Sequence, residues 1–189
     1  YDSEFRYGGR PIPALQGLDR ARRVLYVGTF SKAMFPGLRL GYLVLPPALV
    51  GAFRAARMLL DGHTAMTGQL ALAGFMTDGH FPAHLRRMRA LYGQRRDLML
   101  HHLHENLSPF LAGPPGEAGM HLLAHLRGGL NDAAISRCAA GAGITCQALS
   151  AFHAGPVRRQ GLVLGFGAVR EDSIPGMIGR LAGILRDNR

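Results

Sequence analysis

The chain has 189 residues, 48% of them hydrophobic, and a net charge of +10 from 22 basic and 12 acidic side chains. That length and apolar content suffice for a packed core and exclude a disordered chain. Its two cysteines, Cys138 and Cys146, exclude a disulfide framework or a zinc site and point to a reducing, cytoplasmic compartment.

No apolar run reaches the roughly 18 residues of a membrane span, and the N-terminus has no signal-peptide pattern. Positive charge invites a nucleic-acid reading. The arginines are spread along the chain, however, and the cluster Arg86, Arg87, Arg89, Arg95 and Arg96 falls on a long helical stretch without interleaved aromatics. It reads as a solvated helix face. The nine histidines, His101, His102 and His104 among them, show no metal-ligand spacing with carboxylates, so no metal is expected. The chain has no initiating methionine and starts inside what reads as a loop or strand end. Tyr1 is therefore not expected to be a natural domain boundary, and the chain reads as a fragment.

Along the chain, Arg23 to Thr29 carries Val24, Leu25, Tyr26 and Val27 and breaks at Gly28, the pattern of a buried strand. Arg39 to Leu45 repeats it and stops at Pro46-Pro47. Between them lies a tight loop holding Pro36-Gly37. From Pro47 the spacing becomes helical, with Leu49, Val50, Phe53, Ala56, Leu59 and Leu60 on one face. A second helix is predicted from about Thr64 to Thr77 and a third, of about seven turns, from about Pro82 to Leu107. Beyond Ser108-Pro109, the spacing predicts strands over Met120 to Leu126, Gly143 to Ala148 and Leu162 to Phe166. Helices are predicted over Asp132 to Ala142, with Cys138 in the core, and over Ile174 to Leu185. The order β-α-β-β-α suits helices packed on a small sheet.

Chemistry points to one place. Lys32 is the single lysine among 22 basic residues, and the two predicted strands bracket it. A guanidinium cannot give up its proton in a protein, whereas a desolvated amine can act as a nucleophile. Arg39 follows at the start of the next strand, suited to bidentate phosphate binding, and Thr29 and Ser31 add hydroxyls.

The string Val-Gly-Thr-Phe-Ser-Lys-Ala-Met-Phe-Pro-Gly-Leu-Arg-Leu-Gly-Tyr, from Val27 to Tyr42, closely resembles the pyridoxal-phosphate lysine motif of fold-type I aminotransferases. It has the form found in MocR/PdxR-type regulators of the GntR family, which join a winged helix to an aminotransferase-like domain. The opening Tyr-Asp-Ser-Glu-Phe-Arg-Tyr and the run Leu-Arg-Arg-Met-Arg-Ala-Leu-Tyr at 85 to 92 also look like that subfamily. The resemblance implies an α/β, fold-type I transferase-like chain: part of the large cofactor-binding lobe over residues 1–80, a bridging helix over 81–107 and an α+β small lobe over 108–189. It also implies pyridoxal 5'-phosphate as cofactor. Lys32 would hold it covalently, Arg39 and Thr29 would contact its phosphate, and Tyr1 would hydrogen-bond its phenolic oxygen. Tyr42 and Phe166 would be core residues beside the site.

Two departures from the family pattern bear on activity. The aspartate that pairs with the pyridine nitrogen belongs two residues before Tyr1, outside this chain, and Asp2 is on the wrong side of the tyrosine. The small-lobe arginine that clamps a substrate carboxylate belongs where Val163 stands. Arg158 or Arg159, in the loop just upstream, is the candidate to replace it, and His153, in the small-lobe loop that faces the cofactor in the family, is a further substrate-binding candidate. The leading expectation is the effector-sensing domain of a MocR-like regulator, homodimeric in its parent, that responds to a small amine or amino-acid-like effector. It would reach DNA only through a winged helix absent from this chain. A working aminotransferase and a truncated remnant are the alternatives.

Overall fold

A computed structural model describes residues 4–113 and 116–189. Tyr1, the expected contact to the cofactor's phenolic oxygen, lies outside the described residues. The chain divides into two compact units, one formed mainly by Gly9–Arg87 and the other by Phe5–Gly8 with Met88–Arg189.

The first unit contains α1 (Leu15–Leu18), β1 (Tyr26–Thr29), β2 (Gly41–Val44), α2 (Pro47–Leu60), α3 (Met66–Thr77) and the start of α4 (His80–Leu107). β1 and β2 form an antiparallel hairpin in the register Tyr26↔Val44 to Thr29↔Gly41. Pro47 opens α2, where its missing N–H costs no intrahelical bond. These strands were expected to be buried, and in this chain they are not. Val27 is 74% exposed, and β2 is exposed along its length. The reason is that each strand pairs only with the other among the described residues, so their apolar side chains lack a second layer. α2 likewise keeps its apolar face uncovered, with Leu59 88% exposed, and α3 buries only Leu72.

The second unit has a conventional core. Its sheet runs β3–β4–β6–β5 with every pair antiparallel: β3 (Leu111–Ala112), β4 (His121–Leu126), β5 (Gln147–Ala148) and β6 (Gly161–Gly165). From β4 onward the element order is the expected β-α-β-β-α, completed by α5 (Asp132–Gly141) and α6 (Ile174–Asp187). Strand alternation sends Leu122, Ala124, Leu162 and Leu164 into a cluster with Ile135, Ile178, Leu181 and Leu185, and leaves His121 and Leu123 on the opposite face. Val163 lies opposite Leu123 in that register. Phe5 is buried in this unit and meets Tyr92 edge to face at 5.0 Å.

Two local expectations need correction. The strand expected over Gly143 to Ala148 is confined to Gln147–Ala148, because Gly143 adopts a left-handed φ of 74° that ends α5. The Ile144 N–H donates back to the Ala139 carbonyl at 2.8 Å, as in a glycine-terminated helix. Cys138, expected in the core, is exposed, since α5 turns Asp132, Ile135 and Ala139 inward and Cys138 falls just off that stripe. Among the described residues, no helix is long and apolar enough to cross a membrane.

Candidate functional site

The Val27–Tyr42 string folds as a closed hairpin loop. The Phe30 N–H donates to the Leu40 carbonyl at 3.1 Å, just beyond the Thr29↔Gly41 pair, so residues 31–39 are held as one excursion. Inside it the Met34 N–H donates to the Phe30 carbonyl at 2.8 Å, and Pro36–Leu38 forms a single 3-10 turn. Thr29 Oγ1 accepts from the Ser31 N–H at 3.2 Å and donates to Ser31 Oγ at 3.1 Å, which fixes the entry into the loop. Ala33, next to Lys32, is buried, and its carbonyl lies 3.0 Å from His84 Nε2 at the start of α4.

Lys32 therefore sits, half-buried, on a loop anchored at both ends and in the middle. Arg39 occupies the left-handed region at φ 52°, ψ 34°. That conformation costs a residue with a Cβ roughly 1–2 kcal/mol, and such strain concentrates where a side chain must be aimed. Neither Lys32 nor Arg39 makes an ion pair or side-chain hydrogen bond to another described residue. The loop thus presents two unneutralised cations and two hydroxyls within eleven residues, an arrangement suited to an anion that also carries an amine-reactive group.

A cavity of about 380 Å³ opens beside the hairpin, lined by Thr29, Phe30, Ala33, Tyr42 and Phe81 among others. Tyr42, expected as a core residue, is 44% exposed here, whereas Phe166 is buried as expected, in the other unit. The Tyr42 ring lies across Gly28 between Tyr26 and Phe30, with ring centroids 5.9 and 5.5 Å away. A Cβ on Gly28 would come within 2.2 Å of that ring, so glycine is what lets it lie flat on the strand. The hydrogen bond with Tyr26, followed by partial burial and the charge of Glu4, holds the Tyr42 phenol above its ordinary pKa of 10.0.

The second unit carries the remaining candidates. Arg158 and Arg159 are exposed and line a pocket of about 440 Å³ with His125 and Gln160. His153 is not among the residues lining it, and its Nδ1 lies 3.2 Å from the Leu149 carbonyl. Val163, half-buried between Leu123 and Gln147 in the sheet register, offers no charge.

Sequence reasoning missed Asp132, the one buried charged residue among those described. It accepts from Ser150 Oγ at 2.6 Å, the Ser150 N–H at 2.8 Å and the Gly161 N–H at 3.1 Å. Burial pushes its carboxyl upward, but these donors outweigh it and hold the pKa below the ordinary 3.8. It ties α5 to the loop and to β6, a structural role. The histidine reading also needs adjustment. One turn of α4 brings His101 Nε2 to 3.3 Å and His102 Nδ1 to 3.9 Å from Glu105 Oε2, a grouping hidden in the sequence by the i, i+1, i+4 spacing. It is solvent-facing and built from a single helical turn, as exposed ion pairs are.

This geometry belongs to a known family. The family model described as aminotransferase class I and II matches residues 3–162. The chain is 40% identical over 171 residues to the probable rhizopine catabolism regulatory protein MocR of Rhizobium meliloti, covering 89% of this chain and 34% of that protein. It is 29% identical to aromatic-amino-acid aminotransferase 1 of Thermococcus litoralis, covering 97% of this chain and 44% of the enzyme. The crystal structure of Pyrococcus horikoshii kynurenine aminotransferase superposes with a TM-score of 0.89 at 31% identity over 98% of this chain and 46% of its own. The chain thus spans between about a third and a half of the length of these three relatives. It belongs to the aminotransferase class I and II family, as an aminotransferase-like chain homologous to MocR-type regulators and to the enzymes alike.

Proposed function

We propose that this chain is the pyridoxal-phosphate-binding, effector-sensing part of a MocR-type transcription regulator. The observation that carries the reading is the hairpin loop, which holds the chain's single lysine half-buried and a strained arginine seven residues on, both without side-chain partners among the described residues. Lys32 supplies a primary amine on an anchored element, and Arg39 supplies a fork matched to a phosphate. Thr29 Oγ1 is already oriented at the loop entrance by Ser31 and adds a polar contact for the same phosphate. Tyr1 is assigned to the cofactor's phenolic oxygen through the family motif alone. These residues suit pyridoxal phosphate, which when bound supplies an amine-reactive carbonyl and an electron-accepting ring. The kynurenine aminotransferase similar to this chain was crystallised with the related PMP.

A lysine that can be displaced by an incoming amine and returned afterwards lets the loop report effector occupancy, and a ligand that favours one loop state shifts the population towards it. Several relatives are named as HTH-type transcriptional regulators, which supports readout through a DNA-binding domain outside this chain. The second reading, a working aminotransferase, draws on the 31% identity to an enzyme of known structure. Val163 argues against it, because the sheet position expected to carry a carboxylate clamp is apolar.

The two readings separate by product. The longest polypeptide encoded in frame with this chain is incubated with pyridoxal phosphate and a panel of amino acids and amines, and pyridoxamine phosphate is measured by chromatography. The regulator reading expects absorbance changes on amine addition without accumulation of pyridoxamine phosphate. Stoichiometric conversion with an amino acid overturns it in favour of the enzyme.

A further inference from the structure

The last two turns of α4 carry a grouping of side chains that the Lys32 reading does not use. His101 Nε2 lies 3.3 Å and His102 Nδ1 3.9 Å from Glu105 Oε2, and the three atoms all fall within 4.8 Å of one another. The two imidazole rings are inclined at 66° with centroids 5.1 Å apart. Spacings of four and three residues place His101 and His102 beside Glu105 on one helix face, the arrangement by which a helix offers several ligands to one metal ion. Tetrahedral zinc, with bonds of about 2.0–2.2 Å, sets its ligand atoms about 3.3–3.6 Å apart. His101 and Glu105 already have that separation, and a small rotation of the partly buried His102 ring closes the rest of the triangle.

As an ion pair alone the grouping is poorly placed. Exposed pairs contribute little, and Glu105 stands in the last turn of α4, which ends at Leu107. There the unpaired helix carbonyls make the local potential negative, which disfavours a carboxylate and favours a cation. The chain has 22 lysine and arginine side chains, yet the ion-pair partners of Glu105 among the described residues are the two histidines. An imidazole ligates a metal through a neutral nitrogen, so a divalent cation seated among the three atoms would bring the charge that the carboxylate and the helix end both lack.

We propose that this face of α4 binds one divalent transition-metal ion, with His101, His102 and Glu105 as its protein ligands and the remaining position open to water. Two imidazoles and one carboxylate suit zinc and its first-row neighbours, whereas magnesium and calcium take oxygen ligands. The absence of a loop-borne zinc pattern in the sequence does not bear on such a site, because the helix itself brings the ligands together. The proposal stands apart from the Lys32 reading, because binding is measured with no pyridoxal phosphate present.

The test is equilibrium dialysis of the full, untagged chain against zinc chloride, with bound metal counted by elemental analysis. One tight equivalent of zinc is expected, and an excess of magnesium should not displace it. His101→Ala and Glu105→Gln should each weaken that equivalent by at least about ten-fold, since even losing a residue that only supports a metal ligand costs that much. His104→Ala, on the same turn but outside the grouping, should leave it unchanged. No saturable zinc, displacement by magnesium, unchanged binding in His101→Ala and Glu105→Gln, or an equal loss in His104→Ala would each overturn the assignment. Circular dichroism of the variants guards the comparison, since all three side chains are exposed and their replacement should leave the fold intact.

Discussion

At residue scale, Arg39 is where conformation and charge pull in opposite directions. Its left-handed backbone is one that glycine adopts freely, so Arg39→Gly should stabilise the hairpin loop by about 1 kcal/mol. The same change removes the fork proposed for the phosphate and should weaken pyridoxal phosphate binding at least about ten-fold. Urea denaturation and a fluorescence titration on the same protein read the two effects, and a stability gain with unchanged affinity would remove Arg39 from the site. Asp132 makes a different prediction. Its carboxyl pKa is lowered on folding, so its contribution is fully present above the ordinary value of 3.8 and is lost as the pH falls through the lower native value. Asp132→Asn turns one oxygen into a donor facing other donors and should cost about 1–3 kcal/mol at neutral pH. Its denaturation midpoint should then vary less with acid than that of the wild type, and parallel curves would assign the acid sensitivity elsewhere. The placement of Lys32 and Arg39 on one loop between two strands was legible in the sequence, because the strand patterns on either side bracket them. Asp132 was not, because it acquires its meaning from partners 18 to 29 positions away that only folding brings near.

At the scale of elements, periodicity located both strands of the hairpin and every long helix, but it could not say what each apolar face would meet. α2 shows the difference. Its apolar stripe over Leu49, Val50, Phe53 and Leu60 has helical spacing, yet the helix buries no residue. An apolar pattern records a demand for a partner, while burial depends on a partner being present. In the second unit the demand is met, with Leu122, Leu162 and Leu164 facing Ile178 and Leu181 across a continuous core. The β-α-β-β-α order was legible there, while β3 escaped because a two-residue strand has no period to detect. Hydrogen exchange should follow the same division. Amides of β4, β6 and α6 should exchange at least about a hundred-fold more slowly than those of β1 and β2, whose ladder is solvent-exposed. Comparable protection in both sheets would contradict the described burial.

At the scale of the whole molecule, the two units differ in how far this chain completes them. The large cluster of buried side chains lies in the second unit, whereas the first, which bears the lysine loop, holds its apolar strands and α2 open. Because the relatives of this chain are two to three times its length, cofactor retention is a property to be compared between this chain and the longest polypeptide encoded in frame with it. The family and the fold were legible from one sixteen-residue string, in which Gly28 leaves room for the Tyr42 ring and Gly41 for the Gly28 carbonyl across the hairpin. The most direct measurement is borohydride reduction of both proteins after incubation with limiting pyridoxal phosphate, followed by mass spectrometric location of the adduct. Lys32 is the only lysine of this chain, which leaves the terminal amine as the one competing primary amine on it. The proposed function predicts near-stoichiometric reduced pyridoxyl adduct on Lys32 in the longer polypeptide, lowered by Arg39→Ala. An adduct confined to other amines, or none in either protein, would contradict it.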